Sequence, residues 1–540
     1  MKKFLLLLYS IPILISSAQN IDSLYNEFLQ VRGINQNVKP QVAGETNLPI
    51  KCGFGIVNQV KMNYDKFSEQ QKNLLKKVLD RPTTDTSFVT PSGKFRIHFM
   101  KSGVDAPIYN INQLAQAADS SYNYEVNILG YPSPPGDAGA GGDDRYDIYI
   151  QNLSGGLYGY TEFENQITSN TYTCYTVMDN DFGTNYYTHG IDAARVTIAH
   201  EFHHGIQIGN YIYRANDTYY FELTSTSMEE FVYDSINDYY NYLDTYFRNP
   251  QRAFSSNDGY DLAIWNIFLR DRFGANVIKR TWELMRQERA VESIADAILE
   301  AGSTLKTEFN KFGLWTYFTN TRTVPNKYFE EAANYPLIHP MMTIPFTKPS
   351  TTINITSDPI SNNFIFFTNG ADNLVSIVSN ADLNGAIASP ISGLPFTYTL
   401  SSDQLTGSRK ILDGYYSKIE SANSLLLGES DIFNDIPIDN GQLASVELDY
   451  VFPQPFRYSV NNQIFIPVAK SNNGLVDLYI YSTDMNLVYS SQKPIVTADQ
   501  VVVIWNGLDK NNNKLSTGVY IYVTKSGDAI KKGKLVIQND

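Results

Sequence analysis

Residues 195–209 read Arg-Val-Thr-Ile-Ala-His-Glu-Phe-His-His-Gly-Ile-Gln-Ile-Gly, and nothing else in the chain restricts its fold so tightly. Inside lies His200-Glu201-Phe202-His203-His204, an H-E-x-x-H pattern. Each helical residue advances about 100°, so His200 and His204 lie about 40° apart, one turn from each other, with Glu201 on the same side. Ile198, Phe202 and Ile206 face the other way. One face carries two imidazoles and a carboxylate; the other suits a core. Two His at i and i+4 both reach one tetrahedral zinc ion, and the adjacent Glu is placed to accept a proton from a zinc-activated water. On a charged surface helix the pattern would carry little, but this helix is not charged and the chain has only 6 His. His203 points about 300° round from His200, a packing or supporting position and not a ligand one.

Zinc in a hydrolytic site needs a third protein ligand and an open position for water. Residues 219–233 read as a second helix, with Glu222, Ser225, Thr226, Glu229 and Tyr233 on one face and Thr224, Met228 and Phe231 on the other. Residues 205–221 leave room for a turn and a return to the metal. Glu222 sits among Tyr220, Phe221 and Leu223, poor company for a solvated carboxylate. The helix pair resembles the gluzincin metallopeptidases, in which H-E-x-x-H is followed by a ligand Glu on the next helix. In their aminopeptidase branch that Glu stands in W-x-x-E-G-x-A. Here Tyr219 holds the aromatic position and Glu222 the ligand position, and the chain departs at Leu223 and Ser225. It is also similar to secreted bacterial metallopeptidases with an H-E-F-x-H-x-I-Q run and a later E-x-x-A/S-x-x-M-E run, matched by His200–Gln207 and Glu222–Glu229. The resemblance implies an α+β, zincin-like domain: an edge-bearing sheet, the His helix, the Glu helix and a helical C-terminal lobe. It implies zinc on His200, His204 and Glu222, with Glu201 as general base and a protein or peptide substrate. An acid one or two turns beyond a ligand orients a ligand His, which makes Glu229 the candidate. For the oxyanion donor that a tetrahedral intermediate needs, Tyr233 is the candidate on the zinc-facing side of its helix, with Tyr186, Tyr187 and His189 as others.

Residues 1–18 read as a secretory signal peptide: two lysines, a short apolar run, then Ser16 and Ala18 at the −3 and −1 positions. No later stretch reaches the length of a membrane-spanning helix. The net charge of −14 argues against nucleic acid or an anionic membrane as partner. Residues 19–88 read as an N-terminal accessory segment or propeptide, with an amphipathic helix over 64–79. The chain has 2 Cys, Cys52 and Cys174. An oxidising export route favours their pairing as a disulfide. The alternative is a latch in which the Cys52 thiolate fills the open zinc position.

The zincin-like domain is expected over 89–340. Strands are expected near 94–100, 147–151 and 173–181, and the resemblance places the last beside the cleft as an edge for extended substrate. The acids Asp137, Asp143, Asp144 and Asp147 of a turn-dense loop are candidate Ca2+ ligands, though their spacing is not that of an EF-hand. Helical patterns follow to residue 317. Residues 341–450 read as a β-rich domain, as in 364–367, 373–379 and 446–451. Residues 451–540 resemble the C-terminal sorting domains of the bacterial type IX secretion system and the related immunoglobulin-like domain of flagellar hook-capping proteins. The marks are Pro453-Gln-Pro-Phe456, Trp505-Asn-Gly-Leu-Asp509, Gly518-Val-Tyr520 and the basic-apolar strand ending at Ile537. The resemblance implies secretion machinery as a partner and a secreted or surface-attached protein. The reading is an exported zinc peptidase. The alternative is a surface adhesion or scaffold protein with a degenerate protease domain.

Overall fold

The computed structural model describes residues 13–34, 49–347 apart from 154, 350–368, 374–401, 407–409, 414–419 and 451–539 apart from 452, 460, 462, 469–474, 499 and 528. The chain divides into two compact units. Met1–Tyr246, Ser255–Ser293 and Asn334–Pro336 form the first; Phe247–Phe254, Ile294–Ala333 and Leu337–Asp540 form the second.

The first unit contains α1 (Ile13–Val31), α2 (Phe54–Met62), α3 (Glu69–Val78), β1 (Thr86–Val89), β2 (Phe95–Phe99), α4 (Ile111–Tyr122), β3 (Tyr146–Gln151), β4 (Gly159–Thr168), β5 (Thr171–Asp179), α5 (Gly190–Asn210) and α6 (Thr218–Val232). Residues 1–12 of the expected signal peptide lie outside the described residues, and α1 runs on through Ala18. The sheet order is β1-β2-β3-β5-β4, with β3 parallel to β2 and β5, and β1 and β4 antiparallel to their neighbours. This corrects the expectation for the strand at 173–181: β5 is interior, and β4 forms the edge beside it. Residues 169 and 170 turn the β4–β5 hairpin, with Asn170 at φ 60°. The distal half of β4 is polar and exposed, so its alternation is blurred in sequence.

α5 is buried nearly all round, from Ala193 to Ile208, as suits a helix enclosed on every side. Phe202 packs against Phe95 and Tyr146, at ring distances of 5.0 and 5.6 Å. At Gly205 the helix comes so close to β3 that a Cβ would stand 2.5 Å from the Tyr146 hydroxyl oxygen. α6 is buried from Tyr219 to Phe231, and Phe221 stands edge-on to Trp282 at 4.8 Å.

Further helices are α7 (Asp244–Arg248), α8 (Ala263–Phe273), α9 (Asn276–Leu284), α10 (Ala290–Glu300) and α11 (Leu305–Tyr317). α8 braces α6 through the Asn266 amide, 3.3 Å from the hydroxyls of Thr224 and Ser227. The helical patterns do not form one lobe as expected, because α11 belongs to the second unit. There its buried Asn310 donates to Ser379 at 2.9 Å.

The second unit continues with β6 (Met342–Pro345), β7 (Ser350–Ser357), β8 (Ser361–Thr368), β9 (Leu374–Asn380), α12 (Leu383–Ile387), β10 (Leu394–Ser401), β11 (Gly407–Arg409) and β12 (Gly414–Ile419). These strands make sheets β12-β9-β8-β6 and β11-β10-β7, with Ile355, Ile365, Phe367, Val378 and Tyr398 buried together. Residues 446–450 of the expected strand lie outside the described residues. β13 (Phe456–Arg457), β14 (Ile464–Pro467), β15 (Leu475–Ser482), β16 (Leu487–Pro494), β17 (Val496–Ala498), β18 (Gln500–Trp505), β19 (Gly518–Ser526) and β20 (Ala529–Gln538) follow. They make sheets β13-β20-β19-β15-β16 and β14-β18-β17. The protein is thus mixed α and β, with sandwich-like β elements in its C-terminal part. Among the described residues no helix is long and apolar enough to cross a membrane.

Candidate metal centre

α5 and α6 lie side by side and bring their polar faces together. His200 Nε2 and His204 Nε2 stand 3.2 Å apart, and Glu222 Oε2 lies 3.2 Å from each. The other nitrogens identify the tautomers. His200 Nδ1 is 2.9 Å from Glu229 Oε1, and His204 Nδ1 is 2.7 Å from Gln207 Oε1. The Gln207 amide is oriented by its own Nε2, which donates to the Phe221 carbonyl at 3.1 Å. Each Nδ1 therefore carries the proton, and two imidazole lone pairs converge with a carboxylate oxygen. Three acceptors so arranged ask for a cation. Ligands bound about 2.0–2.1 Å from a tetrahedral zinc stand about 3.3 Å from one another, which the observed spacing matches. Burial alone would raise the Glu222 carboxyl, but the His204 and His200 imidazoles hold it down to about 2. Burial alone would lower the His200 imidazole, yet Glu222 and Glu229 raise it to about 9. A metal ion competes with that proton for the same lone pairs.

Glu201 is fully buried beside these ligands. Its Oε2 lies 2.9 Å from Thr161 Oγ1 of β4, while its Oε1 has no nitrogen or oxygen partner. Burial raises its pKa, against the pull of His200 and His204. His203 faces away, with Nδ1 2.8 Å from Glu125 and its ring edge-on to Tyr131.

The fourth member comes from the N-terminal segment. Cys52, His200, His204 and Glu222 each present one donor atom, and all four atoms lie within 4.8 Å of one another. The expected Cys52–Cys174 disulfide is absent: both are free, buried thiols. Cys174 sits on β5 with its Sγ 3.8 Å from the Tyr146 hydroxyl, whereas Cys52 is held beside His200, His204 and Glu222 by its backbone. Cys52 forms a parallel bridge to Gly159, and Gly53 N donates to the Gly159 carbonyl at 2.9 Å. Ile50 N donates to the Gly156 carbonyl and the Ile50 carbonyl accepts from Tyr158 N, both at 3.1 Å. Residues 50–53 thus cover the start of the β4 edge. Phe54, next in line, stacks on the His204 ring at 4.0 Å. Burial first, then the Glu201 and Glu222 carboxylates, push the Cys52 thiol well above its ordinary pKa. A cation reverses that logic, since a coordinating thiol is deprotonated outright.

Lys51 precedes Cys52 and is 2% exposed. Its Nζ lies 2.7 Å from Glu229 Oε2 and pairs with Asp238. Burial works against the ammonium, but Asp238 and Glu229 more than offset it and raise its pKa.

Tyr233 does not reach the centre: its hydroxyl donates to the Ala117 carbonyl at 2.9 Å. It ends α6 with φ −132° and ψ 58°, so the helical spacing that put it on the zinc face no longer applies. Tyr186 donates to the Leu157 carbonyl at 3.1 Å, Tyr187 packs on Tyr242, and His189 Nδ1 meets the Gly183 carbonyl. The tyrosine at the centre is Tyr260, 6.2 Å from the His200 ring, whose hydroxyl donates to the Cys52 carbonyl at 3.3 Å. Gly259 brings it there, at φ 106° and so close to α6 that a Cβ would stand 2.1 Å from the Tyr219 carbonyl oxygen. No motif marks Tyr260, one of 38 tyrosines; the turn-forming Asp258-Gly259 before it is the only signal. The candidate calcium acids are spoken for otherwise. Asp137 and Asp147 pair with Arg81, Asp143 pairs with Arg96 and Arg145, and Asp144 accepts from Gly139 N.

Residues 102–298 match the sequence model of a family described as a family of unknown function (DUF6055). That span includes His200, Glu201, His204, Glu222, Glu229 and Tyr260 and begins after Cys52. No curated protein matches the chain. Two solved structures overlap part of it. One is PorZ, described as an essential bacterial surface component of the type-IX secretion system of Porphyromonas gingivalis. It is 14% identical over 34% of this chain and 29% of that one, with a TM-score of 0.14. The other is dimeric latent PorU from the same organism, 12% identical over 35% of this chain and 20% of that one, with a TM-score of 0.14. The chain spans less than a third of either, and overlaps at this level are no basis for assigning it an activity.

Proposed function

We propose that the protein is an exported zinc-dependent peptidase of gluzincin type, held latent by its own Cys52. One observation carries this: the lone pairs of His200, His204 and Glu222 converge at tetrahedral-ligand spacing beside the buried carboxylate of Glu201. Zinc there supplies a Lewis acid that acidifies water and polarises a peptide carbonyl. Glu201 takes the proton of the attacking water and delivers it to the leaving amine. Glu229 and Gln207 keep both ligand imidazoles in the tautomer with a free Nε2. Tyr260 donates a hydrogen bond to the developing oxyanion, as its hydroxyl now does to the Cys52 carbonyl. With Cys52 in place the donor set is Cys-His-His-Glu, a closed site with no position for water.

The signal-peptide pattern and the sorting-domain marks support export and a secreted or surface-attached location. The closed donor set also favours a second reading, a structural zinc site in a scaffold or adhesion protein. Metal analysis and one variant separate them. We expect about one zinc per chain, lost in His200→Ala, His204→Ala and Glu222→Ala. Glu201→Gln, on a Cys52→Ser background that opens the site, should keep zinc and abolish cleavage of casein. Cleavage surviving in Glu201→Gln at the Cys52→Ser rate would remove Glu201 from the mechanism. No cleavage by Cys52→Ser itself would favour the structural site.

A further inference from the structure

Residues 50–53 run beside residues 156–159, the stretch that enters β4 at Gly159, with Cys52 at the candidate metal centre and the side chain before it in a closed pocket. The walls of that pocket belong to the surrounding fold and not to the segment. Glu229 of α6 and Asp238 face the Lys51 ammonium, which also stands over the rings of Tyr158 at 4.7 Å and Tyr242 at 5.6 Å. The Tyr158 hydroxyl donates to Asp238 Oδ1 at 2.9 Å and holds that carboxylate in position. Both carboxylates are fully buried. A cation buried between acids and aromatic faces is well bound, but acids left buried without it are severely penalised. Whenever the segment leaves, the pocket demands another cation of the same reach.

We propose that this pocket is the side-chain subsite of the peptidase and takes the lysine of an extended peptide laid along β4, with Lys51 as the resident stand-in. Resting on the peptidase reading, the inference names its substrate class: peptides with lysine next to the residue at the metal. Glutamate is repelled by both carboxylates, and leucine leaves them unpaired.

Two arms test it in the full-length chain. In the first, Lys51→Ala empties the pocket while the backbone of the segment stays. n-Butylammonium at millimolar concentration should then raise the melting temperature of Lys51→Ala. It should leave wild type and Lys51→Ala/Asp238→Asn unmoved, and n-butanol should do nothing. This arm requires no catalysis. In the second, Lys51→Ala/Cys52→Ser, whose pocket is empty, is given two peptides that differ only as lysine or norleucine at the subsite. The lysine peptide should have the higher kcat/KM by on the order of thirtyfold, and Asp238→Asn should collapse the difference. No response to n-butylammonium, or cleavage indifferent to lysine, overturns the proposal. A response without cleavage of either peptide overturns the peptidase reading instead, and leaves a lysine pocket filled only from within the chain.

Discussion

At Gly259 a single backbone position decides where two site residues stand. Its φ of 106° and its 2.1 Å approach to the Tyr219 carbonyl, with Glu222 Cβ only 2.9 Å away, admit no side chain. Gly259→Ala should therefore push the loop off α6 and displace Tyr260 and Glu222 together. We expect a stability loss of about 2–3 kcal/mol in urea unfolding and weaker zinc retention against a chelator. Unchanged stability with full zinc would mean that the loop accommodates the methyl group and does not position the site. The candidate metal-binding residues were legible in the sequence because their relation is local. His200, Glu201 and His204 share a helical turn, and Glu222 and Glu229 share a face of the next helix, so a spacing of 3.6 residues states their geometry. Tyr233 fails by the same rule, since α6 ends one residue before it. Tyr260 was not legible because a left-handed turn, not a repeating spacing, carries it to His200.

At the scale of elements, helices α5 and α6 follow from their periodicity, but which strand forms the sheet edge does not. Strand order depends on long-range pairing, and β4 hides its strand character behind an initial glycine and a polar, exposed distal half. The edge matters because residues 50–53 pair with the stretch that enters it at Gly159, and that pairing brings Cys52 to His200, His204 and Glu222. The two cysteines alone left disulfide and latch open; the backbone pairing on β4 separates them, since Cys174 points toward Tyr146 and Gly205. A latch requires that the thiol be a ligand. With cobalt in place of zinc, the wild-type chain should display a thiolate-to-metal charge-transfer band that Cys52→Ser lacks, while both retain metal on the other three ligands. Cys52→Ser should also raise peptidase activity by at least about tenfold, because serine is a far poorer metal ligand than thiolate and yields its position to water. An identical cobalt spectrum in the two proteins would exclude Cys52 from the coordination sphere whatever the activity does.

At the scale of the whole molecule, the C-terminal module stands on a core of its own. Val451, Phe456, Ile464, Ile466, Val476, Leu478, Ile480, Val503, Trp505, Tyr522, Leu535 and Ile537 are buried in one cluster drawn entirely from residues 451–537. Its sandwich-like sheets were legible because period-two alternation and turn residues recur through β15, β19 and β20. The grouping of α11 with the second unit was not, because Asn310 and Ser379 meet only in the folded chain. A module whose apolar residues are satisfied internally can be removed without opening another core. It carries none of the metal-centre residues, so deletion of residues 451–540 should leave the zinc content and the Cys52→Ser peptidase activity unaltered. If the sorting-domain marks act as such, the same deletion in the native host should keep the chain inside the cell envelope while full-length protein reaches the medium or the surface. Secretion of the truncated chain at the full-length level would reduce the module to a spacer or adhesin. Loss of zinc from the truncated chain would instead mean that metal binding depends on the module.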